Sequence, residues 1–209
     1  MPCIKFDNLE NKKQRQILNA AYKEFTAKGY KNASTNEIVK KAEISKGTLF
    51  YYFDSKKELY HYLIEYGIEF IKTDFLDEID ENQTDFIEKC RAKSQAKMKA
   101  YNKNPHIFNF FGTLYLNKEK KMIPADLKEK MDKLKELSYT KLFENIDTSL
   151  FRKDIPSNMI IKLINWSLEG YEKELMAELK NKDLSAVDFG PYWDDFHEFL
   201  EILKKLYYK

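Results

Sequence analysis

Ser34-Thr35-Asn36-Glu37-Ile38-Val39-Lys40-Lys41-Ala42-Glu43-Ile44-Ser45-Lys46-Gly47-Thr48-Leu49-Phe50-Tyr51-Tyr52-Phe53 parses as two short helices joined by a tight turn. Ser34 and Glu37 have capping-box spacing: the serine oxygen accepts the Glu37 N–H, and the glutamate side chain reaches back to the Ser34 N–H. Ile38 and Val39 are the apolar positions of the first helix, Ala42-Glu43-Ile44 can form the turn, and Ser45 suits the N-cap of the second helix. Leu49 and Phe53, four apart, face one way, and Lys46, Thr48, Tyr51 and Tyr52 point elsewhere. An ordinary surface helix carries charges there; threonine, lysine and tyrosine together hydrogen-bond phosphates and touch thymine methyls. The pattern is a helix-turn-helix.

Gly29-Tyr30, the Ser34-Thr35 cap, Ile38, Ala42, Ile44-Ser45-Lys46-Gly47-Thr48-Leu49, Tyr52-Phe53 and Ser55-Lys56-Lys57-Glu58-Leu59 extend it on both sides. This ordered set resembles the DNA-binding domain of the TetR family of bacterial transcriptional regulators, without a gap from about Gln14 to Leu63. The resemblance covers a quarter of the chain and implies no particular ligand, since the rest of such proteins is helical and variable. Glu43 stands where the family usually has glycine and Phe50 where it usually has tyrosine. A left-handed Glu43 would cost roughly 1–2 kcal/mol. Phe50 keeps the packing and can touch a thymine methyl, but lacks a hydroxyl for phosphate.

Composition allows one domain or two in 209 residues, 43% of them hydrophobic. Six glycines and five prolines, with no Gly/Ser-rich linker, favour compact helical structure. Cys3 and Cys90 lack CxxC spacing and histidine neighbours in ligand register, which fits a reduced cytoplasmic compartment. The first twenty residues have no apolar core segment of a signal peptide, and no apolar run is long enough to span a membrane. The net charge of +2 hides an asymmetry: residues 1–60 hold 12 Lys+Arg and 7 Asp+Glu, or +5, and the remainder holds 24 and 27, or −3. A basic N-terminal segment suits phosphate contact.

Taken in order, residues 1–8 read as a loose arm and about Leu9–Lys28 as a helix with Ile17, Leu18, Ala21 and Phe25 on one face, ended by Gly29. After the two short helices, the capping box Ser55-Lys56-Lys57-Glu58 starts a fourth that can continue to about Asp80, roughly 39 Å. Asn82 or Thr84 caps a helix to about Lys103, and Asn104-Pro105 separates it from an aromatic helix ending near Leu116. Pro124 opens a helix to about Ile146, Pro156 one to about Lys182, and the last runs from about Pro191 to Tyr207. The expectation is an all-α fold of about nine helices, with a DNA-binding domain at residues 1–54 and a ligand-binding and dimerisation domain at 55–209.

Catalytic motifs are missing: there is no Gly-x-Ser-x-Gly, P-loop or dinucleotide fingerprint. An enzyme is therefore not expected, nor a metal or cofactor; only a cluster of His61, His106 and nearby carboxylates would reopen that reading. The aromatic load of 15 Phe, 14 Tyr and 2 Trp is more telling. Aromatics at helical spacing ordinarily fill a core. Here the run Phe108–Tyr115, aromatic on more than one face, is the best wall for an apolar pocket with tyrosine hydroxyls as polar contacts. Phe108, Phe111 and Tyr115 lead that set, and Tyr66, Phe70, Met98, Tyr101, Tyr139, Phe143 and Trp166 complete it.

The last two helices are apolar over a wide arc and so need partners on two sides. A homodimer through a four-helix interface supplies the second, and Gly170 is explained if a neighbouring helix approaches closely there. The family resemblance implies the same dimer. It also implies a double-stranded DNA operator as partner, with Lys46, Gly47, Thr48, Phe50, Tyr51 and Tyr52 on the DNA. Thr48 and Phe50 would read base edges and methyls, and Lys46 guanine or phosphate. Tyr52, the Gly47 N–H and Lys56 would anchor phosphates, and Ser34 and Thr35 would do so from the capping turn. The functional expectation is a repressor released by a small apolar or aromatic effector. The rival is an architectural or division-linked DNA-binding protein with no ligand and a filled C-terminal core.

Overall fold

The computed structural model describes residues 4–116, 123–180 and 182–209, and they are helical almost throughout. The elements are α1 (Ile4–Asp7), α2 (Asn11–Asn32), α3 (Thr35–Lys41), α4 (Lys46–Tyr52), α5 (Lys56–Ile71), α6 (Phe86–Lys103), α7 (Pro105–Leu116), α8 (Ala125–Phe143), α9 (Ser157–Leu179) and α10 (Gly190–Tyr207). Among the described residues the only β pairing is an isolated antiparallel bridge between Phe151 and Tyr208. The nine expected helices are all present, and α1 is an addition to them.

That addition corrects the reading of a loose arm for residues 4–8, and residues 1–3 of that arm lie outside the described residues. Phe6 is fully buried against Tyr52, Phe53 and Tyr62, with ring centroids 5.6, 4.9 and 5.4 Å away. Gln14 holds the turn by donating to the Phe6 and Asp7 carbonyls, both at 2.8 Å, and Tyr62 donates to Asp7 at 2.6 Å. One aromatic side chain can anchor four residues because its burial yields about 2–3 kcal/mol.

Gly29, at φ 67°, breaks α2 at the expected place. The α5 helix stops at Ile71 and closes with a wider π turn over Lys72–Leu76, so this rod is about 31 Å long rather than 39 Å. The cap of α6 is neither Asn82 nor Thr84. It is Asp85, whose carboxylate accepts the Ile87 and Glu88 N–H groups at 3.0 and 3.1 Å.

Three apolar clusters fill the interior. The largest joins α1–α5 to Ile107, Phe110 and Leu114 of α7 and Leu127 of α8. A second holds Phe86, Ile87 and Cys90 against Phe151, Ile160, Ile164, Leu200 and Leu203. A small third gathers Phe75, Leu76, Ile79 and Ala100. Burial pushes the Cys90 thiol up to about 12, so this cysteine is a packing group; Cys3 lies outside the described residues. No helix among the described residues is long and apolar enough to cross a membrane.

Candidate DNA-binding head and effector recess

Three serines set the head's geometry. Ser34, Ser45 and Ser55 accept the N–H groups of Glu37, Thr48 and Glu58 at 3.4, 2.9 and 3.1 Å, starting α3, α4 and α5. The other half of the Ser34 capping box is not made as expected. The Ser34 N–H donates to Glu24 of α2 at 3.2 Å instead of to Glu37. Glu24 is 4% exposed and also receives Lys41 at 3.0 Å. Burial pushes its carboxyl up, but the bonds from Lys41 and the Ser34 N–H outweigh that and hold it below the usual carboxylate range. A long-range carboxylate wins over the local one because α2 is already fixed by packing.

Glu43 does adopt the left-handed conformation, at φ 50°. Its side chain accepts from Gln16 at 3.2 Å and its carbonyl from Lys13 at 3.4 Å, so contacts with α2 offset the strain. The turn holds α4 with Leu49 and Phe53 in the core and Lys46, Gly47 and Tyr51 exposed. Tyr51 is 61% exposed, a large value for an aromatic on a short helix. Thr48 is tied to Ser45 through hydroxyls 2.8 Å apart. Phe50 is half-exposed, and Tyr52 is half-buried over Phe6. Ser34 and Thr35 are half-exposed at the start of α3. Lys56 rests over the Tyr30 ring, 5.0 Å from its centroid, and donates to the Lys31 carbonyl at 3.1 Å.

The ten aromatic and apolar residues expected to line one pocket are dispersed. Phe70, Tyr101 and Phe108 do converge, with Phe108 6.4 Å from Phe70 and 6.0 Å from Tyr101. Phe111 packs on the bare face of Gly67, where a Cβ would sit 2.4 Å from its ring. Tyr139 stacks on Phe143 at 4.2 Å, and Phe143 joins the second apolar cluster. Tyr66 borders an open groove of about 540 Å³ between α5 and α8. Trp166 is exposed on α9, Met98 is half-buried, and Tyr115 is exposed beneath the Lys135 ammonium, 6.0 Å away.

What the sequence reading missed is charge. On α6, positions 86, 90, 93, 97 and 101 fall on one helical stripe, and Phe86 and Cys90 place it against the core. The next two positions are Lys93 and Lys97. Lys93 is half-buried and Lys97, one turn farther, is exposed. Partial burial lowers the pKa of Lys93, and Glu172 of α9 acts against that. Among the described residues no group of three or more His, Cys, Asp and Glu is arranged to hold a metal ion.

Comparison with known proteins agrees with this geometry. Residues 17–63 match the model of the bacterial regulatory proteins of the tetR family. The uncharacterised HTH-type transcriptional regulator YuxN of Bacillus subtilis is 41% identical over 54 residues, which are 26% of this chain and only 19% of that protein. A TetR family transcriptional regulator from Chloroflexus aurantiacus superposes with a TM-score of 0.59 at 23% identity, covering 100% of this chain and 99% of the other. A γ-butyrolactone receptor superposes with a TM-score of 0.57 at 16% identity, covering 97% and 98%. Residues 17–63 thus carry a DNA-binding head of the tetR type, and the all-helical body has the fold of solved TetR family regulators.

Proposed function

We propose that the chain is a homodimeric repressor that reads a near-palindromic operator through α4 and releases it when a small molecule fills the C-terminal domain. One observation carries the DNA reading: α4 is anchored by Leu49 while Lys46, Gly47 and Tyr51 face solvent. Gly47 costs about 1 kcal/mol in a helix, and nothing inside the chain requires it, since a Cβ there would meet only the Ser45 Oγ at 3.6 Å. A bare backbone N–H suits close approach to a phosphate. Thr48 and Phe50 then read bases, and Lys46, Tyr52 and Lys56 meet phosphates alongside Ser34 and Thr35.

The dimer reading rests on α9 and α10. Trp166, Ile202 and Leu206 are 57, 55 and 51% exposed, an apolar surface that a second subunit would cover. Gly170 has nothing within 4 Å of a would-be Cβ. That leaves room for a partner helix, not for one of its own. The open groove of about 540 Å³ between α5 and α8 speaks for an effector and against the architectural rival, which needs a filled core. The γ-butyrolactone receptor shows that this fold serves a small-molecule receptor.

Release is a difference of affinities: an effector that fits only when the heads are wrongly spaced removes DNA affinity by that difference. The coupling path is short, because Phe110 of α7 lies 5.3 Å from Tyr22 of α2, and Tyr22 donates to the Leu63 carbonyl of α5 at 2.7 Å. Selection of genomic duplexes, with sedimentation of the protein alone and on DNA, tests the reading. The expected result is a dimer on half-sites one helical turn apart, about 34–36 Å. A micromolar monomer that enriches no duplex ends it.

A further inference from the structure

We propose that the groove between α5 and α8 takes a small uncharged apolar effector, and that α1 is the latch through which its filling frees the DNA-reading helix. The inference rests on the reading that a small molecule releases this chain from DNA. It gives that molecule a seat, a polarity and a route to α4.

The seat follows from its lining. Tyr62, Tyr66, Ile68, Leu134 and Leu137 give the groove of about 540 Å³ an apolar floor. The Tyr62 and Tyr66 rings stack, 6.2 Å apart and 23° from parallel, and form an aromatic stretch of its α5 wall. The charged groups of the lining are three acids and three lysines, so no net sign selects an ion. Lys130 and Glu65 already pair across it. A charged molecule would disturb that pair, whereas an apolar one displaces only water.

The route follows from what stands at the edge of the groove. Asp7 of α1 lines it too, and accepts the Tyr62 hydroxyl at 2.6 Å. The residue before it, Phe6, is fully buried, with the rings of Tyr62, Tyr52 and Phe53 at 5.4, 5.6 and 4.9 Å. Tyr52 is the last residue of α4 and Phe53 is its C-cap. A helix of seven residues is not stable by itself, so the placement of α4 depends on such contacts. Tyr62 also touches Phe53 directly, at 5.2 Å. One residue of the groove wall therefore bears on the end of α4 twice. This route is distinct from the one through Phe110 and Tyr22, because it ends on the reading helix itself.

Asp7 supplies the direction of the effect. It is exposed, so water completes the solvation that the Tyr62 hydroxyl begins. An apolar molecule lying against Tyr62 takes that water away, and a carboxylate so stripped is unfavourable. Turning Asp7 out to bulk water relieves this, parts it from Tyr62 and draws Phe6 from beneath Tyr52. The effector thus favours the state with the latch open, and DNA the state with it shut.

The test puts an uncharged ring into the groove of the full-length protein. Lys130→Cys, at an exposed position opposite Glu65, is labelled with N-phenylmaleimide, and affinity for a duplex from the genomic selection is measured. Wild type treated with the same reagent controls for Cys3 and Cys90. The label should weaken binding about tenfold or more relative to unlabelled Lys130→Cys. With Asp7→Asn added, whose amide oxygen still accepts the Tyr62 hydroxyl, the label should weaken it by less than about threefold. Without any label, Phe6→Leu keeps the buried apolar volume but not the ring contacts, and should weaken binding about fivefold. Unchanged affinity on labelling overturns the proposal, because the groove is then not linked to DNA. Equal loss with and without Asp7→Asn overturns it too, since the groove would act by a path that bypasses α1. Wild-type affinity in Phe6→Leu would show that α1 does not hold α4. If wild type itself binds no duplex, the reading of DNA release falls and this inference with it.

Discussion

The head and the body of this protein distribute polarity in opposite ways. In the head, inward positions are apolar and closed: Ile17, Ala21, Ile38, Leu49 and Leu59 are buried, and the buried carboxylate of Glu24 has two donors. In the body, α6 turns lysines inward, while α9 and α10 turn Trp166, Ile202 and Leu206 outward. The difference teaches where each half finds its partners. The head completes itself and presents only a polar helix face. The body is left incomplete on two sides, an open groove between α5 and α8 and an uncovered apolar face, and each asks for something from outside the chain.

The sharpest way to break this contrast is on α7, which belongs to both halves. Phe110 is 1% exposed and ringed by Tyr22, Tyr60 and Phe111 at 5.3, 5.6 and 5.7 Å. Phe110→Ala should cost about 3–5 kcal/mol in urea unfolding. Phe111→Ala, half-buried beside Gly67, should cost clearly less, about 2 kcal/mol. Equal losses would mean that Phe111 fills core as fully as Phe110 does and borders no space. Next comes the uncovered face. Trp166→Asp should weaken dimerisation by about 2–4 kcal/mol, as for an interface anchor, with the monomer melt nearly unchanged. A sedimentation profile identical to wild type would assign that face to solvent.

Glu24→Gln probes the closed half. At neutral pH the variant should lose about 1–3 kcal/mol, because Lys41 and the Ser34 N–H lose a charged acceptor. The sign with pH follows from the lowered carboxyl. Its contribution is complete above the unperturbed value of 4.5 and is lost as pH falls through the lower folded value. Wild type and Glu24→Gln should therefore converge in acid. A gap that persists well below 4.5 would show packing, not charge, at that site.

How much of this was legible follows the same division. The head could be read because its determinants are local: a serine three residues before the N–H it caps, and Leu49 four before Phe53. It failed where a distant group outcompeted a near one, as Glu24 did Glu37, and where one aromatic, Phe6, ordered residues that look like an arm. The body's helices were visible from proline and periodicity, but their inner faces were not. Aromatic spacing cannot say which ring packs on Gly67 and which meets Tyr101, since that depends on how helices cross.

The smallest effect is the most discriminating, because it separates a paired lysine from an unpaired one. Lys41 and Lys97 are both helix lysines with exposed stems, but Lys41 meets Glu24 at 3.0 Å and Lys97 meets no such partner among the described residues. Lys41→Met removes one member of a pair and leaves Glu24 short of a donor, so the head should lose stability. Lys97→Met removes an exposed cation with no such bond to break. Its melting temperature should then stay within about 2 °C of wild type. Thermal melts of both variants beside wild type decide it. If Lys97→Met melts lower than that range, its ammonium is paired in the native state.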